Sequence, residues 1–327
     1  MKTVRSFYDK YHMEIGNIVL ILVLAIVLFP RLSADYVLHQ FVIIVLLTMG
    51  LSLEMLSGVL DFAFMAEIAM TTCLGGLCLR AGFPVWVSLT VMILAQMLFG
   101  MAKGLLIGKI RVNPILLTFI LQQIYQGIAA VFGDAIQAPI PKNYYGSYMF
   151  WMIFSGIAVV IYVFLQLLLT HTYYGKYVRM LGENETSVKN SGIRFDICRM
   201  IICGISGIVF AQVALIFLFI TNGGSAGIGR RYLYPVIAAA CLGGINFLKG
   251  KGNLRGTVLG SLSMVLLLNL SAGLSLYSYF SYIWEIAILV IAVVIFARER
   301  KTENPLPKSE TCPIVGRADP PYNKTIR

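Results

Sequence analysis

Gly182-Glu183-Asn184-Glu185-Thr186-Ser187-Val188-Lys189-Asn190-Ser191-Gly192 is a polar island between two long apolar segments. Met149 to Thr170, before it, is long enough to cross a bilayer, and Cys198 to Ile220, after it, is long enough to cross back. The island is too short to be a domain, yet it holds helix punctuation at both ends. Asn184 suits a helix start, and Gly192 suits a left-handed helix end. The pattern predicts a short helix lying on the membrane surface and offered to something outside it. Such an element docks a partner and does not catalyse.

The rest of the chain agrees with a membrane setting. Of 327 residues, 58% are hydrophobic and only 13% are charged, and the mean hydropathy is +0.82. A soluble domain carries about a quarter charged residues. Apolar stretches of about 20 residues recur along the whole length, which predicts an all-α, polytopic helical membrane protein. The predicted spans are 15–31, 36–59, 62–80, 84–108, 114–133, 148–170, 198–221, 235–247, 254–277 and 280–297, about ten transmembrane helices in all. Two of the interruptions fall near the centre. Ser57-Gly58-Val59-Leu60-Asp61 breaks the second and third spans, and the short eighth span ends in Gly243-Gly244. Broken membrane helices often mark transport sites, and a tight hairpin is the plain alternative.

The first apolar run, Ile15 to Phe29, is followed by Pro30-Arg31-Leu32 without a small-residue cleavage site, so it is expected to stay as a first span. One transmembrane domain is expected over 1–297, with a cytoplasmic loop at about 171–197. A flexible cytoplasmic tail is expected over 298–327, where Pro305, Pro307, Pro313, Pro320 and Pro321 lie.

The net charge of +11 finds its explanation in topology and not in nucleic acid. With the amino terminus inside, Lys2, Arg5, Lys10, Lys103, Lys109, Arg111, Lys176, Arg179, Lys189, Arg194, Arg199, Lys249, Lys251, Arg255 and the basic tail fall in the cytoplasm. Of 26 Lys and Arg residues, only Arg31, Arg80, Lys142, Arg230 and Arg231 fall outside.

Nothing resembles an enzyme site. His12, His39 and His171 are scattered, five of the six cysteines (Cys73, Cys78, Cys198, Cys203 and Cys241) sit in or beside apolar spans without paired spacing, and no Gly-Lys pair is followed by Ser or Thr as a P-loop requires. No catalytic or metal-binding residue is expected. Ionisable groups at membrane depth are costly and usually face a bundle interior or a water path. Glu54, Asp61 and Glu67 gather around the broken second-to-third span, either as a proton or cation relay or as groups paired with Tyr, Ser or backbone. Glu285, beside Trp284 near a span end, fits the plainer role. Gln122 and Gln126 share one helix face, with Gln123 and Tyr125 adjacent. Amides that donate and accept suit a hydroxyl-rich solute, and they also join helices across a bundle. Asn269, with Ser271 and Ser275, repeats the pattern more weakly.

Four blocks resemble the permease subunits of bacterial ABC importers for simple sugars, of the ribose, xylose and galactose type. Gly50-Leu51-Ser52 through Ser57-Gly58-Val59-Leu60-Asp61-Phe62 resembles the family's glycine-rich block ending in Ile-Asp-Leu-Ser. Lys109-Ile110-Arg111-Val112-Asn113-Pro114-Ile115 through Thr118 resembles its Lys-x-x-Val-x-Pro-Phe segment. Tyr174-Gly175-Lys176-Tyr177 through Gly182-Glu183-Asn184-Glu185 and Ser191-Gly192-Ile193 resembles its cytoplasmic loop. Gly243-Gly244-Ile245-Asn246, Gly250-Lys251-Gly252-Asn253, Gly256-Thr257 and Gly260 resemble its late glycine pattern. The chain departs from the family at Val59, Ala63, Met65 and Ile120.

The resemblance implies half of a membrane pathway for a small hydrophilic solute, most readily a monosaccharide, working by alternating access beside a second permease copy. It implies cytoplasmic ATPase subunits docked on Gly182, Glu183, Asn184, Glu185, Ser191 and Gly192, and an extracytoplasmic solute-binding protein. The path is expected to run past Asp61, Gln122, Gln126 and Asn269. No cofactor is expected in this chain; ATP and Mg would be held by the partner subunits. The implied location is the bacterial cytoplasmic membrane, with both termini inside. An ion-coupled carrier or channel using Glu54, Asp61 and Glu67 is the rival from another class. A permease of the same type for nucleosides, autoinducer-like furanones or branched-chain amino acids is the nearer one.

Overall fold

The computed structural model describes residues 14–26, 34–110, 112–132, 136–137, 147–183, 188, 194–273, 283, 286–291 and 294. Among them the chain is a bundle of helices. They are α1 (Glu14–Ile26), α2 (Ala34–Leu56), α3 (Phe64–Arg80), α4 (Val85–Ile110), α5 (Pro114–Phe132), α6 (Tyr148–His171), α7 (Tyr173–Glu183), α8 (Phe195–Thr221), α9 (Leu233–Leu242) and α10 (Leu254–Gly273). Five of them, α2, α4, α5, α6 and α8, are long and apolar enough to cross a membrane, while α1 and the Leu254–Leu270 part of α10 are shorter apolar stretches. Among the described residues, five of the ten spans read from hydropathy are thus full-length helices. Two-residue strands β1 (Ile136–Gln137) and β2 (Gly223–Gly224) pair antiparallel at the end of the bundle away from α7.

Both expected interruptions are present. α2 stops at Leu56 and α3 begins at Phe64. Gly58 takes φ +80°, a left-handed turn that costs glycine nothing. Its N–H donates to the Met55 carbonyl at 3.0 Å, and that of Val59 to the Glu54 carbonyl at 3.1 Å, so two of the last carbonyls of α2 are satisfied. Asp61 Oδ1 then accepts the Ala63 N–H at 2.7 Å just before α3 starts. Further along, α9 has only 10 residues, a rise of about 15 Å against a hydrocarbon core of about 30 Å.

The most extensive helix pair is α4 against α8. Lipid tails are as apolar as leucine, so helices in a membrane associate through close packing at small residues. A Cβ at Gly104 would stand 2.6 Å from the Arg199 carbonyl oxygen, one at Gly108 2.7 Å from Asp196 Cα, and one at Gly100 would collide with the Cys203 carbonyl. On the facing side, a Cβ at Gly207 would stand 2.6 Å from the Gln96 carbonyl oxygen. The contacts run in opposite order along the two chains, so the helices are antiparallel. Glycine every fourth residue along α4 lets the backbones touch.

Candidate functional site

The broken α2–α3 hairpin lies between two unusual contacts. The first is a buried ionic cluster. Lys103 Nζ of α4 stands 2.5 Å from Asp61 Oδ2, 3.2 Å from Glu54 Oε1 and 3.3 Å from Glu67 Oε2, and all four side chains are fully buried. Ser206 of α8 donates to the same Glu54 oxygen, and the Phe210 ring centre lies 6.0 Å from the ammonium. An ammonium has three donors and here faces three carboxylates. Glu54 Oε2 and Glu67 Oε1 are left without hydrogen-bond partners.

This corrects the reading of Lys103 as a cytoplasmic loop residue. It lies inside α4, about two turns before the helix ends. Arg199, also counted with the loops, is buried one turn into α8. The signal that could have placed Lys103 is the Gly100, Gly104, Gly108 spacing, which carries a tightly packed helix straight through it.

The second contact is a meeting of three glycines. Gly182 lies at the end of α7, Gly58 follows α2, and Gly250 lies in the turn between α9 and α10. A Cβ at Gly182 would collide with the Leu56 carbonyl oxygen and stand 2.5 Å from Gly250 Cα. One at Gly250, where φ is +61°, would stand 2.8 Å from the same carbonyl oxygen. One at Gly58 would stand 3.4 Å from Gly182 Cα. Backbones from three separate parts of the chain therefore touch at the end of α2.

α7 is the helix that delivers Gly182, and its amphipathic pattern explains how it lies. Gly175, Val178 and Leu181 are buried, whereas Tyr173, Lys176, Arg179, Met180 and Glu183 are exposed. The Gly175 N–H donates to Thr172 Oγ1 at 3.2 Å, closing the turn out of α6. Tyr174 Oη donates to the Cys198 carbonyl at 2.9 Å and ties α7 to α8. Burial pushes the Tyr174 phenol up, so it keeps its proton and its role as donor at neutral pH. α7 ends at Glu183, just inside the polar island, and the surface helix expected from Asn184 to Gly192 falls, Val188 apart, outside the described residues. Val188, within the island, is helical and fully buried. Asn184, Glu185, Ser191 and Gly192 lie outside the described residues, as do Glu285 and the 298–327 tail.

The other expected path residues are spread apart. Gln126 donates its amide to the Ala226 carbonyl, joining α5 to the loop after α8. Asn269 Nδ2 donates to Gln40 Oε1 at 2.9 Å and to the Val265 carbonyl at 2.8 Å, joining α10 to α2. Gln122 is half-buried, with an Oε1 that has no partner. Asp61 belongs to the ionic cluster. Among the described residues, no group of three or more His, Cys, Asp or Glu side chains is placed to hold a metal ion.

A family described as branched-chain amino acid transport system / permease component matches residues 33–297, which include every helix from α2 to α10. The chain belongs to this family. It is therefore a multi-pass membrane permease, a transmembrane and non-catalytic subunit of an ATP-binding-cassette importer. Permeases of this family work with ATPase and solute-binding partners in general.

Among its relatives is the ribose import permease protein RbsC of Haemophilus influenzae, 24% identical over 294 residues, which are 86% of this chain and 90% of that one. The RbsC of Escherichia coli strain K12 is 23% identical over 310 residues, covering 89% and 96%. The autoinducer 2 import system permease protein LsrD of Klebsiella pneumoniae is 23% identical over 249 residues, covering 68% and 70%. A solved inward-facing ABC transporter of the metal-chelate type aligns at a TM-score of 0.48 and 18% identity, over 88% of this chain and 97% of that one.

Proposed function

We propose that this permease carries a monosaccharide-class solute inward and takes its motion from ATPase subunits gripping α7 and the island that follows. The observation that carries the coupling role is the contact of Gly182 with the Leu56 carbonyl and Gly250. Whatever pushes the end of α7 pushes directly on the end of α2. The exposed Lys176, Arg179 and Glu183 offer a charged face to a soluble partner, and Asn184, Glu185, Ser191 and Gly192 continue the docking surface. ATP and Mg stay with the ATPase, and the chain supplies no cofactor of its own.

The α7 end of the bundle is cytoplasmic in this proposal, the membrane is the bacterial inner one, and about ten spans complete the pathway beside a second permease copy. Support for a sugar comes from the two ribose permeases, which this chain matches over most of their length. For the path itself, Gln122 is the favoured contact, because its oxygen is unspent while Gln126 and Asn269 already bridge helices. Asp61 works from the buried cluster instead.

The test is uptake in vesicles containing the permease, its partner ATPase and its binding protein. Labelled ribose, autoinducer-type furanones and leucine are compared with and without ATP. ATP-dependent uptake of a monosaccharide supports the proposal. Uptake by the permease alone that collapses with a proton uncoupler would overturn it, and ATP-driven uptake of leucine only would overturn the sugar assignment. On intact cells, an impermeant label that reached residues 182–192 from outside would reverse the orientation.

A further inference from the structure

Resting on the coupling role above, a more specific inference concerns Lys103. We propose that Lys103 is a positioning residue that latches the α2–α3 break to the α4–α8 pair, so that force entering at Gly182 moves the bundle and is not absorbed by the break.

Three observations converge on it. The carboxylates it holds lie before the break (Glu54), within it (Asp61) and after it (Glu67), so one ammonium spans the whole interruption. The interruption itself, residues 57–63, has no helical hydrogen-bond ladder and turns at a glycine with φ +80°. Left alone, such a segment is the softest part of the path from α7 to α3. The lysine, by contrast, grows from the stiffest part, the glycine seam of α4 on α8, and Ser206 of α8 holds Glu54 from the other side.

The latch also explains the economy of the cluster. The ammonium donates to Asp61 and Glu67 and stands at ion-pair distance from Glu54, and each carboxylate has few other partners: Ser206 for Glu54 and the Ala63 N–H for Asp61. No other cation among the described residues is within ion-pair distance of these carboxylates. Removing the lysine therefore frees the break, where loss of an exposed pair would hardly register.

The measurement is the number of solute molecules carried per ATP hydrolysed, in proteoliposomes with ATPase and binding protein, at saturating solute. A structural defect alone lowers the amount of working complex but leaves that ratio unchanged. Lys103→Gln combined with Asp61→Asn keeps the net charge and allows an amide pair in place of the ion pair. It should carry at least ten-fold less solute per ATP. Gly182→Ala, which lifts α7 from the α2 end without touching the cluster, should lower the ratio by a similar factor. A wild-type ratio in the lysine–aspartate variant overturns the latch. A wild-type complex that shows no ATP-driven uptake counts against the coupling proposal instead, so the two failures are distinct.

Discussion

α6 and α8 are about equally apolar and similar in length, yet one faces outward and the other forms the centre. Of the most apolar window in each, 22% is buried in α6 and 78% in α8. Hydropathy therefore says that both belong in a membrane and nothing about where. What separates them is their small and polar residues. α8 offers Gly204, Ser206, Gly207, Ala211 and Ala214 along its length, and its backbone meets that of α4. On α6, a Cβ at Gly156 would meet nothing within 4 Å, and Met152, Ile153, Val159, Val160 and Phe164 are exposed. Without a hydrophobic force between helices, close backbone approach and a few buried polar contacts decide which span is central.

The contrast can be broken at several points. The largest effect is expected at the lysine beside the α8 seam. Lys103→Met strands three buried carboxylates, and loss of one partner of a buried ion pair costs about 3–5 kcal/mol. The variant should lose most of its monodisperse yield in detergent; recovery equal to wild type would show that the cluster is not the centre of the bundle. Next comes Gly207→Leu on α8, which forces side-chain atoms into the Gln96 carbonyl of α4. Overpacking of this kind costs about 1–3 kcal/mol, and a clear drop in the thermal unfolding midpoint is expected.

Ser206→Ala should be milder. It removes a donor to Glu54 while Lys103 remains, a loss of about 1–2 kcal/mol that the same melting measurement would resolve. The smallest effect belongs to α6. Gly156→Leu adds a side chain where there is open space, so stability should stay within about 0.5 kcal/mol of wild type. Equal damage from the leucine at 156 and the leucine at 207 would abolish the distinction between the two helices.

Much of this was legible from the residues and some was not. Long apolar stretches fixed the membrane class, and Gly58 and Gly243-Gly244 marked where α2 and α9 stop, because glycine in an apolar run is a local backbone statement. Lys103 was misplaced because counting positive charge by loop treats every lysine near a span end as solvent-exposed, while its partners lie 36 to 49 positions earlier in the chain. Only the glycine spacing on either side of it carried the information. Gln122 and Gln126 looked alike as neighbours on one face, but a carbonyl from residue 226 claims only the second. No local pattern could foresee that. The touching of Gly182, Gly58 and Gly250 was equally hidden, since three glycines in three separate blocks acquire meaning only when the chain brings them together.

The ten-residue α9 has a bearing on lipid composition. Residues 236–241 of this helix are all buried, so its length is matched to neighbouring side chains and not to acyl chains. In bilayers made of shorter or longer lipids, α5 and α6 must tilt or stretch the surrounding leaflets to stay covered, each at a modest cost per ångström. α9 has no such adjustment to make. The protein sets its own local thickness there, and activity measured across a series of lipid chain lengths should report on the outer helices while leaving this inner strut indifferent.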